Sequence, residues 1–112
     1  MITTYPLPRP ISLNNIYANA AGRGRVKSSR YATWINAAGW ELKSRGPIRK
    51  VSGPVALDFQ ISRPRKTMDM DNCFKAYIDL LVSLGAIDDD RNVVGISAVW
   101  ADSGLVTIRA IE

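Results

Sequence analysis

Histidine is absent from this 112-residue chain, and cysteine occurs once, as Cys73. An internal disulfide is therefore excluded, as are zinc sites built from His or several Cys and every catalytic triad that relies on imidazole. No apolar run approaches the roughly 18 residues that a membrane-spanning helix needs, so a soluble protein is expected. The first residues, Met1-Ile2-Thr3-Thr4-Tyr5-Pro6, lack the basic start and continuous apolar stretch of a signal peptide, which makes the cytoplasm the expected location. The remaining chemistry must run on carboxylates, lysine, tyrosine, hydroxyls or a hard cation held by oxygen, and oxygen ligands suit Mg²⁺, with Mn²⁺ as a substitute.

The charge is unevenly distributed. Residues 1–66 carry twelve Lys and Arg against Glu41 and Asp58, a local charge of +10, whereas residues 67–112 carry Lys75, Arg91 and Arg109 against eight acids, a local charge of −5. A basic half joined to an acidic cluster suits a protein that holds a polyanion and also binds a metal. The plainer alternative is an ordinary solvated basic surface.

At this length a single domain with a modest core is expected. Residues 1–8 carry strand-forming side chains and run into Pro6-Leu7-Pro8-Arg9-Pro10, which predicts a short strand followed by a loop. Residues 18–29 join glycines to Arg23, Arg25 and Lys27 and read as a flexible basic loop. From Ser29, Tyr31, Trp34, Ile35, Ala38 and Leu42 recur at helical spacing until Gly46-Pro47, and both Trp34 and Trp40 are assigned to the core rather than to base stacking. Val55, Leu57, Phe59 and Ile61 alternate with Ala56, Asp58, Gln60 and Ser62, the pattern of a strand with one buried face. A second helix, capped by Asp71, carries Phe74, Ile78, Leu81 and Val82 as its apolar stripe, broadened by Tyr77 and Leu84, and stops at Gly85. Val93 to Trp100 and Leu105 to Arg109, joined through Ala101-Asp102-Ser103-Gly104, read as a closing β-hairpin. The order β-α-β-α-β-β predicts an α+β fold in which a small mixed β-sheet packs with two helices, in a single domain over residues 1–112.

Asp69 and Asp71 stand two residues apart where an extended segment enters the second helix, so both carboxylates project to one side; Lys75 follows Asp71 by one helical turn. Asp88, Asp89 and Asp90 lie past the far end of that helix, roughly 21 Å away for a helix of about 14 residues. A parallel crossover would start the strand after Asp90 at the opposite edge of the sheet from Asp69. Either the two strands are antiparallel, or Asp90 completes the site in another way, for example from a symmetry-related subunit. Phosphodiester hydrolysis needs a cation beside the phosphate and a neutralising lysine, which this residue set can provide. The structural alternative makes Asp71 a helix cap, Lys75 its i,i+4 partner and the aspartate run a solvated turn. A calcium loop starting at Asp69 fails, because Phe74 would fall at its glycine position and Leu80 at its bidentate glutamate. A sugar-nucleotide D-x-D site would need a larger domain and leaves the basic half unexplained.

The run Asp69-Met70-Asp71-Asn72-Cys73-Phe74-Lys75, then Asp79, Gly85 and Asp89-Asp90-Arg91-Asn92-Val93-Val94, resembles the core of the RusA family of Holliday junction resolvases. Pro10-Ile11-Ser12-Leu13-Asn14-Asn15-Ile16-Tyr17 is similar to that family's leading segment. The resemblance implies a homodimeric, Mg²⁺-dependent endodeoxyribonuclease that cuts four-way DNA junctions in recombination and repair. By position it makes Asp69, Asp71 and Asp90 the metal-binding acids, with Asp89 as a neighbouring alternative, Lys75 the phosphate-facing base and Asn72 an accessory polar residue. Asn14, Arg23, Arg25, Lys27, Arg30, Arg63, Arg65 and Lys66 are the candidate DNA contacts. Met68 stands where the family often has a basic residue. Less selective cutting of branched DNA, or DNA binding without cleavage, are the alternatives. Cys73 is expected to be a buried filler beside the site.

Overall fold

The computed structural model describes residues 1–11, 17–20, 24–27, 29–63 and 69–111, with the backbone alone at 17–20, 24–27 and 72. The alternation of Val55, Leu57, Phe59 and Ile61 becomes the inner face of β4 (Val55–Ser62), and all four side chains are buried. On one side β4 pairs antiparallel with β6 (Gly104–Ala110), and on the other it pairs parallel with β5 (Val93–Ala101). β1 (Ile2–Leu7) pairs antiparallel with β6, so the four-stranded mixed sheet has the order β1-β6-β4-β5. Pro6, which has no N–H to give to a ladder, is accommodated because β1 is an edge strand.

The expected closing hairpin does not form. Residues 102 and 103 carry the chain past the C-terminal end of β4, and β6 pairs on the far side of it. The reason lies in burial: Val106 and Ile108, set opposite Phe59 and Leu57, are fully enclosed between β4 and β1. The turn sequence determines that the chain reverses, while this long-range packing determines which strand β6 joins. A close approach makes glycine necessary at the start of β6, where a Cβ on Gly104 would lie 2.6 Å from the Leu7 carbonyl oxygen.

Two helices cover the inner face. α1 (Ser29–Arg45) buries Tyr31, Ala38 and Leu42 as its stripe predicts, and Trp34 is half-buried against the core. Trp40 is not a core residue: it is 77% exposed, because it stands two positions from both Ala38 and Leu42 and so points away from the stripe. α2 (Phe74–Leu84) is covered on two sides. Tyr77 and Leu81 join the sheet core, and Ala76 meets Tyr31 and Ile11. Gly85 ends α2 at φ 76°, where its N–H reaches the carbonyls of Leu81 and Val82. Gly39 of α1 faces Leu84, and a Cβ there would meet its Cδ2 at 3.7 Å, an ordinary contact. Gly39→Ala should therefore raise stability by about 1 kcal/mol and the melting temperature by about 4 °C, read by thermal denaturation.

Where the sequence suggested a basic loop, β2 (Tyr17–Ala20) and β3 (Gly24–Lys27) form a separate antiparallel ribbon. Four-residue strands beside glycines show too little alternation to be told from a loop. The outer face of the sheet carries a polar cluster. Asp58 on β4 accepts hydrogen bonds from Arg109 Nε of β6 at 2.8 Å and Ser97 Oγ of β5 at 2.7 Å, and the Arg109 guanidinium, followed by Ser97, holds its carboxyl below the usual range. β5 differs from the other sheet strands: it is an edge strand of nine residues without charge or proline, and Val94, Ile96 and Val99 are exposed along it. Among the described residues no helix is long and apolar enough to cross a membrane.

Candidate active site

Asp69 is extended, at φ −79° and ψ 137°, and Met70–Cys73 then form a 3-10 turn that leads into α2. The extended two-residue spacing expected of Asp69 and Asp71 thus stops at Asp69, because Asp71 already belongs to the turn. Neither the turn nor α2 receives a side-chain cap, so the assignment of Asp71 as a helix cap is also corrected. Both carboxylates are exposed near the N-terminal end of α2, where the helix dipole favours negative charge.

The turn is anchored from below. Cys73 is fully buried, its Sγ lies 3.8 Å from the Asp69 carbonyl oxygen, and burial followed by the charge of Asp71 pushes its thiol up to about 11. A thiol held in that state is packing rather than a nucleophile, as the sequence suggested. Phe74 stacks on Phe59 of β4 with ring centroids 5.6 Å apart. The turn that carries the two acids is thus packed onto the core through Cys73 and Phe74.

Lys75, one turn further on, extends its ammonium to Asp79, with Nζ 3.6 Å from Oδ2. The same Asp79 oxygen accepts a 2.7 Å hydrogen bond from the hydroxyl of buried Tyr31 on α1. Asp79 appeared in the sequence only as part of a motif and Tyr31 only as a core residue. The i,i+4 spacing of Lys75 and Asp79 was the available sign of the first contact, while no local signal points to the second.

The three aspartates beyond α2 have different environments. Asp88 accepts from the Gly53 N–H at 3.1 Å and pairs with Lys50 at 3.1 Å; these contacts, the Gly53 bond foremost, lower its pKa. It is a structural tie. Asp89 accepts from the Arg91 N–H at 3.2 Å and pairs with its Nε at 3.5 Å. A hydrogen bond with Asp90, then the Arg91 N–H, lowers Asp89, whereas the bond to Asp89 and its charge raise Asp90, with a further contribution from Asp79. Asp90 is thus an exposed carboxylate crowded by like charge, a condition that a bound cation relieves.

The sheet does not bring Asp90 to Asp69 and Asp71 within one chain. β4 and β5 run parallel, with Val55 opposite Val93, so Asp90 lies at the edge where β4 begins and Asp69 beyond the edge where β4 ends. Asp90 lies instead beside α2, close enough to Asp79 to feel its charge. Among the described residues no three acidic or thiol side chains gather as a metal-binding group.

Of the candidate DNA contacts, Arg30 is exposed at the start of α1, and the Arg63 guanidinium sits 4.9 Å from the centre of the Trp100 ring. Arg25 and Lys27 fall on β3, but their side chains lie outside the described residues, as do Asn14, Arg23, Arg65, Lys66 and the side chain of Asn72. Tyr77 and Trp34 hold the leading segment at its described end, donating to the carbonyls of Pro8 at 2.7 Å and Arg9 at 2.8 Å. Ile11 then packs on Tyr31 and Ala76, between α1 and α2.

Exposed acids at a helix start and a strongly basic first half are features that suit an enzyme cutting DNA. Residues 8–110 fit the family model described as Endodeoxyribonuclease RusA, and the chain belongs to that family of endodeoxyribonucleases. A relative named Crossover junction endodeoxyribonuclease RusA, from Aquifex aeolicus (strain VF5), is 25% identical over 99 residues, covering 88% of this chain and 79% of the relative.

Proposed function

We propose that the protein is a Mg²⁺-dependent, homodimeric endonuclease that resolves four-way DNA junctions by paired cleavage, serving recombination and repair in the cytoplasm. The observation that carries this reading, within the family membership, is the placement of the acids at opposite ends of the parallel β4-α2-β5 crossover. A site completed between two copies reconciles that separation: Asp69 and Asp71 of one copy would act with Asp90 of the other. The uncharged β5 edge, with exposed Val94, Ile96 and Val99, offers the surface through which two copies would pair. A two-fold dimer also presents two cutting sites, as a junction with two symmetric strands requires.

The donor set fits a hard divalent cation, since exposed carboxylates plus water are what Mg²⁺ takes. When bound, the cation supplies Lewis acidity toward the phosphate and makes a water more acidic. Asp69 and Asp71 would hold it, with Asp89 as the neighbour of Asp90 at the other end. The Lys75 ammonium faces the phosphate and offsets charge that builds on it during cleavage. Arg30 and Arg63, with the basic residues of β3 and of the segments around it, would neutralise backbone phosphates, so binding should weaken steeply as salt rises.

The test is cleavage of labelled four-way, forked and linear DNA of the same sequences by the purified chain in Mg²⁺. The four-way substrate should be cut about tenfold or more faster than the others, with symmetric paired incisions. Equal cutting of forks would make the protein a less selective branched-DNA nuclease. Binding without any cutting would leave a DNA-binding protein on this fold.

A further inference from the structure

We propose that Asp79 is a positioning residue for cleavage, holding the Lys75 ammonium from a mount that Tyr31 fixes in the core. The inference rests on the nuclease reading and adds a residue to it. Lys75 is 44% exposed and its four-carbon stem is flexible, so alone it would spread its charge over many positions. An ion pair at such a surface contributes little to stability, which leaves orientation as its main consequence. Asp79 is better placed to orient than an ordinary surface partner. It is only 21% exposed, and its Oδ2 accepts the 2.7 Å bond from Tyr31 as well as facing Lys75.

Tyr31 is itself immobilised. It is 1% exposed, and its ring stacks on Trp34 at 6.2 Å and 15°. Trp34 is in turn tied to the Arg9 carbonyl and packs against Tyr77 at 5.9 Å. A continuous set of contacts thus runs from the junction of α1 and α2 to the ammonium. Misplacing a reacting or charge-stabilising group by about 1 Å can cost on the order of a hundredfold in rate, so a mount of this kind acts on turnover more than on binding.

The experiment uses the full chain in Mg²⁺ under single-turnover conditions with a synthetic four-way junction; junction affinity is read without metal and folding by thermal denaturation. Asp79→Asn keeps an acceptor for Tyr31 but removes the charge facing Lys75. It should lower the cleavage rate about tenfold or more with affinity changed less than about threefold, and Asp79→Glu should recover part of the loss. Lys75→Ala combined with Asp79→Asn should be no slower than Lys75→Ala alone, because the two residues act as one unit. Tyr31→Phe, which leaves the ring stack in place, should slow cleavage in the same direction, and it decides the question if Asp79→Asn fails to fold. Normal rates in both Asp79→Asn and Tyr31→Phe, losses that multiply in the double variant, or a loss confined to junction affinity would each overturn the proposal while leaving the nuclease reading in place. An unmutated chain that cuts no branched DNA overturns both.

Discussion

Asp71→Asn should abolish Mg²⁺-dependent cutting of a four-way junction, lowering the single-turnover rate on the order of a thousandfold or more. The substitution keeps the size of the side chain and removes only its charge. Because Asp71 is exposed and caps neither the 3-10 turn nor α2, the melting temperature should stay within about 2 °C of the unmutated protein. Junction affinity should be retained or slightly increased, since a negative charge facing the phosphates is lost. Cleavage of end-labelled junction gives the rate, and gel-shift titration without metal gives the affinity. Unimpaired cutting by this variant would remove Asp71 from the site, and a matching loss of affinity would turn it into a binding residue.

Two inactive variants should restore each other when mixed. If Asp69 and Asp71 of one copy work with Asp90 of its partner, a dimer of one Asp71→Asn chain and one Asp90→Asn chain has both lesions in one site and none in the other. Random exchange makes half of the dimers mixed, so about one quarter of all sites should be intact. Each mixed dimer has a single working site, and the product should be a nicked junction rather than a resolved pair. If all three acids served within one copy, every site in the mixture would carry a lesion, and no activity would return. Exchange is verified by native mass measurement of chains that differ in tag length. Absence of recovery despite proven exchange would refute the shared site and would require α2 to move relative to β5 within one chain.

Much of the fold was legible because its strongest patterns are local. The alternation from Val55 to Ile61 and the stripe from Phe74 to Val82 each identify an element without help from the rest of the chain. The position of β6 was not legible, because the turn at Ala101 to Gly104 is compatible with either side of β4, and only the enclosure of Val106 and Ile108 decides between them. Trp40 lies outside the core because its angular position on α1, rather than its aromatic character, decides its burial. The site shows the same division. The sequence left open whether the strands before Asp69 and after Asp90 run parallel, and they do, because their pairing depends on the whole sheet. The resemblance ranks Asp90 first, with Asp89 as the alternative, but the structural role of Asp88 was not legible, since Gly53 and Lys50 meet it only in the folded chain.

The placement of β6 also bears on how the protein comes to be folded. Of the strands in this sheet β1 comes first along the chain and β6 last, yet β6 lies between β1 and β4 and pairs with both. During synthesis, β4 and α2 can associate early, but β1 has no strand to pair with until residues 104–110 have left the ribosome. The sheet therefore closes through contacts between residues about a hundred positions apart, a topology that folds slowly for its size. Until then the unpaired edges of β1 and β4 are exposed together, making the unfinished chain the form of this protein most prone to aggregate.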